Sequence, residues 1–476
     1  MRRKVLLISP NRCTSPDPVF PLGLAHVSAA LVRAGHDTRL LDVLADPQPL
    51  AEALREFRPD FVGVSLRNID DVLIRKQETF FDSPTTICET VRRVHPCPVV
   101  IGGSGFSIYP EPLLQRSGAD FGIQGEGEAG FVALLAALAD GRDYSGIPGL
   151  VYRRGTEIVA NPQLQKPSEL AAQRELPTRS ATLAAHYVSA SGTLNLQTQR
   201  GCRHSCCYCT YPLIEGRTHR RRNPETIADE VVQLQQLGAK YAFIVDSVFN
   251  SSEPHVVETC EAILRRNASL RWGCFLRPQG LTPELMQLMK RAGLTHIEFG
   301  SDSFCDAVLE QYHKRLTFTD IRESSELARQ AGIEHCHFLI CGGPGETLAT
   351  LKTGFQNSLR LTGAIIMAMV GMRIYPGTPL AERARREGRL TANDDLLSPA
   401  YYLAPGLTED AIFEQLREFA RRSPNWIAGD PGPKLASVVA RLRARGVVGP
   451  LWSYFAMLQR LVPQGAAEFT CAVPAT

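Results

Sequence analysis

A chain of 476 residues, 44% apolar and 21% charged, is long enough for two or three domains with sizeable cores and has the balance of a water-soluble globular protein. A net charge of +3 provides no polyelectrolyte field and argues against a nucleic-acid partner, and no stretch reaches the roughly 18 apolar residues of a membrane span. Thirteen cysteines, an odd number without disulfide-framework spacing, predict a reducing cytoplasm, and the apolar run after Met1-Arg2-Arg3-Lys4 is too short for a signal peptide.

In chain order, the apolar run 5–9 reads as a buried parallel strand. A Pro-rich loop leads to a helix over 22–33 that Gly35 closes. Strands are predicted next at 38–43, 61–65, 99–103 and 121–123, with helices at 52–57, 85–94 and up to about residue 138. This alternation predicts an α/β, Rossmann-like domain over residues 1–140, with a ligand crevice at the strand C-termini. Residues 141–190 read as a connector with a hairpin about Arg153-Arg154-Gly155.

A strand over 193–197 opens the next domain, expected at 191–390. Further strands are predicted at 241–245, 271–276, 296–299, 335–340 and 364–370, separated by helices, making six β/α units. Residues 391–476 read as a helical C-terminal cap, with helices at 409–422 and 434–445 and an apolar helical segment over 451–461. Trp452, Tyr454 and Phe455 fall there at a spacing that suits core packing.

Between strand 193–197 and the next helix lies Gly201-Cys202-Arg203-His204-Ser205-Cys206-Cys207-Tyr208-Cys209. Cys202, Cys206 and Cys209 have C-x3-C-x2-C spacing, which can wrap three corners of a cubane iron–sulfur cluster and leave one iron open. The spacing alone also admits a structural zinc loop with Cys207 or His204 as fourth ligand. Downstream, Cys341-Gly342-Gly343-Pro344-Gly345-Glu346-Thr347 comes after the fifth strand. With the cysteine loop, this motif closely resembles the radical SAM superfamily. Pro21-Leu22-Gly23-Leu24, Gly63-Val64-Ser65, Ile101-Gly102-Gly103 and Gly125-Glu126-Gly127-Glu128 together resemble the cobalamin-binding domain fused to many such enzymes. Each glycine taken alone is better read as serving a tight turn.

The resemblance implies a partial (β/α)6 barrel, a 4Fe-4S cluster on the three cysteines, S-adenosylmethionine (SAM) on the open iron and cobalamin on the first domain. For SAM it points to Tyr208, Asp246, Ser247, Glu298, Ser303, Gly342, Gly343 and Arg373. Asp246-Ser247 could instead cap a helix with Asn250, and Pro376 and Gly377 after Arg373 could mark only a turn. For cobalamin it points to Leu22, Gly23, Ser65, Arg67, Gly102, Gly103, Gly125, Glu126 and Gly127. The basic run His219-Arg220-Arg221-Arg222 reads as a phosphate-binding patch or a solvated loop.

The function implied by this resemblance is that of a radical enzyme methylating an unactivated carbon of a small-molecule, natural-product type substrate. A 5′-deoxyadenosyl radical would abstract hydrogen and methylcobalamin would deliver the methyl group. A rearrangement, ring contraction or cyclisation on the same architecture, and a non-catalytic cobalamin sensor, are the alternatives. A flavodoxin- or ferredoxin-type electron donor is implied, with no membrane partner. The first domain lacks D-x-H-x-x-G, so cobalamin is expected with its own base displaced and no protein histidine in its place, and Arg67 is the candidate to cover that face.

Overall fold

The computed structural model describes residues 2–14, 17–163, 170, 175–428 and 433–454. Val5–Ile8 of β1 (Lys4–Ser9) are fully buried, because a parallel strand is covered on both faces. With β2 (Asp37–Asp42), β3 (Phe61–Ser65), β4 (Val99–Gly102) and β5 (Phe121–Ile123) it forms a parallel sheet, extended by β6 (Leu150–Arg154) and β7 (Glu157–Ala160). The order is β2-β1-β3-β4-β5-β6-β7. The strand order reverses at β1 and β3, which opens a crevice beyond Ser9 and Ser65. β6 pairs antiparallel with β5, so the hairpin assigned to the connector is part of this sheet and carries it to Ala160, past the boundary expected at 140. Short helices Ser104–Ile108 and Pro110–Ser117 and the helix Ala181–Ser191 are additions to the predicted elements.

The second sheet starts at β8 (Thr193–Leu196), with a ribbon of β9 (Gln199–Arg200) and β10 (Arg220–Arg221) beside it. Then come β11 (Tyr241–Ile244), β12 (Arg271–Leu276), β13 (Leu294–Asp302), β14 (Glu334–Cys341) and β15 (Ile365–Val370). β16 (Met372–Arg373) pairs with β17 (Tyr401–Tyr402), and β18 (Trp426–Ala428) pairs parallel with β15. The order β18-β15-β14-β13-β12-β11-β8 thus has seven parallel strands, one more than the six predicted. The extra strand comes from the region expected to be wholly helical. Helices Glu409–Arg422 and Pro433–Ala444 agree with prediction; of the segment 451–461 only 451–454 are described, and Phe455 lies outside the described residues. No helix among the described residues is long and apolar enough to cross a membrane.

Trp452 closes the lower half of this partial barrel. It packs on Cys336 and Ile365 and lies edge-on to His296, with ring centroids 5.7 Å apart. The two domains share a core: Phe20, Leu22 and Ala25 pack with Tyr187, Leu194 and Ala242 of the second. Leu22, expected at the corrin, therefore faces the barrel domain.

Candidate functional site

Gly201 starts the cysteine loop at φ +88°, and a Cβ there would stand 2.1 Å from the Thr218 carbonyl oxygen, so only glycine fits. Cys202 N donates to Gly216 O (2.9 Å) and Cys209 N to Cys206 O (3.2 Å), winding the loop around one centre. Cys207 N donates to Tyr312 O (3.0 Å), and its side chain is buried in the core, turned from the other three. Burial pushes the thiols of Cys206 and Cys209 up, that of Cys209 to about 12, so binding of a metal must drive their deprotonation. None of the described cysteines is in a disulfide. Among the described residues no three His, Cys, Asp or Glu side chains converge on a single-ion site. A cubane spreads its thiolates over separate irons, whereas zinc gathers four ligands on one ion.

Asp246 and Ser247 position the loop instead of facing a ligand, which corrects both expectations for them. The Asp246 carboxylate is buried and accepts from Thr198 N (2.7 Å), Gln199 N (3.3 Å) and the Thr198 hydroxyl. Burial raises its pKa to about 7 against these hydrogen bonds. Ser247 Oγ donates to Gly201 O (2.9 Å), and Asn250 ties to Arg277, so neither caps a helix. Glu215 accepts from Gly201 N (2.9 Å) and Gln197 Nε2 (2.9 Å) and completes the collar.

Tyr208 donates its hydroxyl to Asp302, and Lys314 Nζ lies 2.7 Å from the same carboxylate. Asp302 ends β13 at φ +63°, a strained conformation held by these two partners. Ser303 beside it is buried and accepts from Cys305 N (3.2 Å). Asp302 stands in the run Gly300-Ser301-Asp302-Ser303 that follows Glu298 after the fourth predicted strand, whereas Lys314 has no sequence signal. Glu298 lies mid-strand, in register with Phe275 and Cys336, and accepts from Trp452 Nε1 (2.9 Å). It belongs to the barrel floor, not to a ribose site at the mouth, and burial raises it to about 7. Gly343 N donates to the Tyr312 hydroxyl (3.1 Å), and Gly342 N donates to Glu346. A Cβ at Gly342 would meet Leu403 and Ile412, so protein packing already accounts for this glycine.

Arg373 is not available to SAM. Its Nε donates to Asp70 (2.9 Å), Nη1 to Ile374 O (2.6 Å), and Nη2 to Leu396 O (3.0 Å) and Tyr109 (3.3 Å), so the guanidinium ties the two domains. The basic run is no solvated loop either. Arg220 pairs with Glu126 (2.9 Å), Arg222 is buried against Glu230 (2.6 Å), and His219 and Arg221 are half-buried.

In the first domain the expected cobalamin residues gather at the strand ends, except Leu22. Ser65 closes β3, Gly102 closes β4, and Gly125 N donates to Ser107 Oγ (2.8 Å). At Gly103 (φ +100°) a Cβ would lie 2.6 Å from Leu66 O, where two strand ends cross. Gly23 opens onto free space in the first helical turn, and Gly127 starts helix Gly127–Ala139 against Val27. Glu126 is drawn into ion pairs with Arg220 and Arg200 (3.2 Å), and Arg200 also holds Glu128 (2.7 Å). Arg67 lies in the crevice with its Nε buried and without a partner, and burial lowers its pKa. An orphaned guanidinium nitrogen at a topological switch point suits a ligand there. His26 is buried facing Arg200, Arg222 and Arg179, His36 Nδ1 accepts from Arg3 N (3.3 Å), and His95 Nε2 bonds Pro59 O (3.0 Å). A cleft of about 510 Å³ runs between the domains, lined by Ser107, Gln124, Leu213, Arg217 and Pro376.

Residues 9–135 match the B12 binding domain and residues 196–353 match the radical SAM superfamily. The chain is a cobalamin-binding radical SAM protein. Among similar proteins of this kind, tryptophan 2-C-methyltransferase from Streptomyces laurentii is 27% identical over 443 residues, covering 79% of this chain and 74% of that one. Hopanoid C-3 methylase from Methylococcus capsulatus is 29% identical over 347 residues, 67% of this chain and 62% of that one. The structure of the radical SAM methyltransferase TsrM from Kitasatospora setae, with cobalamin and a [4Fe-4S] cluster bound, superposes with a TM-score of 0.87 at 25% identity, covering 97% of this chain and 99% of that one. A 4Fe-4S cluster, SAM and cobalamin are accordingly the cofactors of this radical SAM protein.

Proposed function

We propose that this protein is a cobalamin-dependent radical SAM methyltransferase acting on a carbon of a small-molecule substrate. The observation that carries this reading is the pairing of Arg200 with Glu126 (3.2 Å) and Glu128 (2.7 Å), which sets the cysteine loop against the strand ends of the first sheet. A substrate in the cleft between them would meet both cofactors without travelling. When bound, the cluster supplies an electron for SAM cleavage and cobalamin carries the methyl group. The chain's own task is to hold the partners in reach and exclude water.

Cys202, Cys206 and Cys209 would hold three irons, with Tyr208 anchored over them by Asp302. Ser303, Gly342 and Gly343 form the strand ends on which SAM would lie. Ser65, Gly102, Gly103, Gly125 and Gly127, with Gly23 at the rim, would carry the corrin, and Arg67 would stand under its cobalt. The positions of His26, His36 and His95 support a base-displaced cobalamin without a protein imidazole. The domain division, an external one-electron donor and a cytoplasmic setting belong to the same reading.

Product mass tests it: the anaerobically reconstituted enzyme should add one methylene unit to its substrate, and an unchanged mass would favour rearrangement. Electron paramagnetic resonance of the cobalt(II) form tests the lower face, where a three-line nitrogen splitting would reject the Arg67 assignment.

A further inference from the structure

Just past Arg67 the chain leaves the first sheet as a finger, residues 69–80. Asp70 bridges Thr79 in antiparallel fashion, Asp71 N donates to Glu78 O (3.1 Å) and Phe80 N to Ile69 O (3.0 Å), so the two legs are tied together. Leu73 O closes the tip by accepting from Lys76 N (3.1 Å) and Gln77 N (3.0 Å). Val72 stands at φ +51°, an outlier for a β-branched side chain, and its N–H donates to Asp70 Oδ1 (3.0 Å). Residues 75–79 are exposed, so the finger adds little to the core while its ordering costs entropy.

Both ends of the finger are fixed, and in different domains. At its base Leu66 N donates to Gly102 O (2.9 Å), Gly105 N to Leu66 O (2.9 Å) and Ser104 Oγ to Arg67 O (3.1 Å). The remaining contacts lie on the barrel domain. Asp70 Oδ2 accepts from Arg373 Nε (2.9 Å), and a Cβ at Gly371 would come within 2.8 Å of Ile74 Cδ1. Arg75 lies over the Phe413 ring, 4.0 Å from its centroid, and donates Nη2 to Asp410 (2.6 Å) and Nε to Glu409. Ile412 of the helix so gripped, Glu409–Arg422, packs at Gly342. Arg67 thus sits between a backbone pinned to the first sheet and a finger pinned to the barrel, and its buried Nε has no protein partner to fix it.

We propose that the finger is a positioning element: the grip of Arg75 on helix Glu409–Arg422 sets where Arg67 stands in the crevice, and so keeps water from the lower face of the cobalt. The inference rests on the reading of Arg67 as the group under the corrin. A side chain beside a metal is aimed by its own supports, and here the support on the C-terminal side comes from the other domain. Arg75 itself touches neither the crevice nor the cysteine loop, so it acts only through the finger.

The probe is hydroxocobalamin, bound to the anaerobically reconstituted protein and reduced to the cobalt(II) form. Paramagnetic resonance in oxygen-17 water reads water on the cobalt as line broadening. Wild type should give an unbroadened signal and Arg67→Ala a broadened one. Arg75→Ala should broaden part of the signal at unchanged cobalamin and iron contents. Phe413→Leu, which removes only the ring under the guanidinium, should act in the same direction if Arg75→Ala folds poorly. Narrow signals in both finger variants beside a broadened Arg67→Ala would overturn the proposal and leave the reading of Arg67 standing. A loss of bound cobalamin and iron with the remaining signal still narrow would also overturn it, since the finger would then be a structural brace alone. A broadened wild type, or an Arg67→Ala signal that stays narrow, would reject the reading of Arg67 and the proposal with it.

Discussion

Glu298 shows how one buried carboxyl can carry a pH dependence. Burial raises its pKa from 4.5 to about 7, opposed only by the hydrogen bond from Trp452. The folded protein therefore binds this proton more tightly than the unfolded chain, and its contribution is fully present below about pH 4.5 and lost as pH rises towards 7. Glu298→Gln keeps an acceptor for Trp452 without the charge. The variant should match wild type in thermal unfolding at pH 4.5 and exceed it at pH 8, by up to about 3 kcal/mol. Equal stability at both pH values would place the carboxyl in contact with water. At the cluster loop, alanine at Cys202, Cys206 or Cys209 should cost the bound iron, whereas Cys207→Ala should keep about four irons per chain, as measured by iron analysis after anaerobic reconstitution.

At the scale of the element, the cysteine loop is shaped by its collar more than by its own sequence. Asp246, Ser247 and Glu215 each bond the backbone between Thr198 and Gly201. Gly201→Ala would force a Cβ to 2.1 Å from Thr218 O at a positive φ. Relieving that contact moves backbone, at a cost of about 2–4 kcal/mol. Iron content should fall while far-ultraviolet circular dichroism stays close to wild type. Full iron loading in this variant would mean that the loop is more compliant than its contacts imply.

For the whole molecule, the brace between domains is the Arg373–Asp70 pair, both side chains buried. Removing one partner leaves an uncompensated buried charge, so Arg373→Gln or Asp70→Asn should each cost about 3–5 kcal/mol in denaturant unfolding. The double variant should cost clearly less than the sum, because the two act as a unit. Additive losses would show that Arg373 stabilises mainly through its carbonyl contacts at Ile374 and Leu396. Because this pair joins the crevice of one domain to the strand ends of the other, domain closure should weaken with it, and protection from limited proteolysis reads that directly.

Local pattern was enough for much of this. Apolar runs bounded by Gly and Pro marked the strands of both sheets, since a parallel strand buries both faces and needs no partner information to be seen. The spacing of Cys202, Cys206 and Cys209 marked the proposed cluster site, because one short loop supplies all three thiols. β18 escaped because three residues, Trp426–Ala428, are too few to show a period. The side chains misassigned from sequence had partners far along the chain: Arg373 meets Asp70 across 303 residues, Glu298 meets Trp452 across 154, and Asp246 meets Thr198 across 48. Motif position says which strand end a residue comes after. Whether its polar atoms reach a ligand or are already satisfied by the protein is decided only when distant segments pack together, since each buried donor and acceptor must find a partner somewhere in the assembled fold.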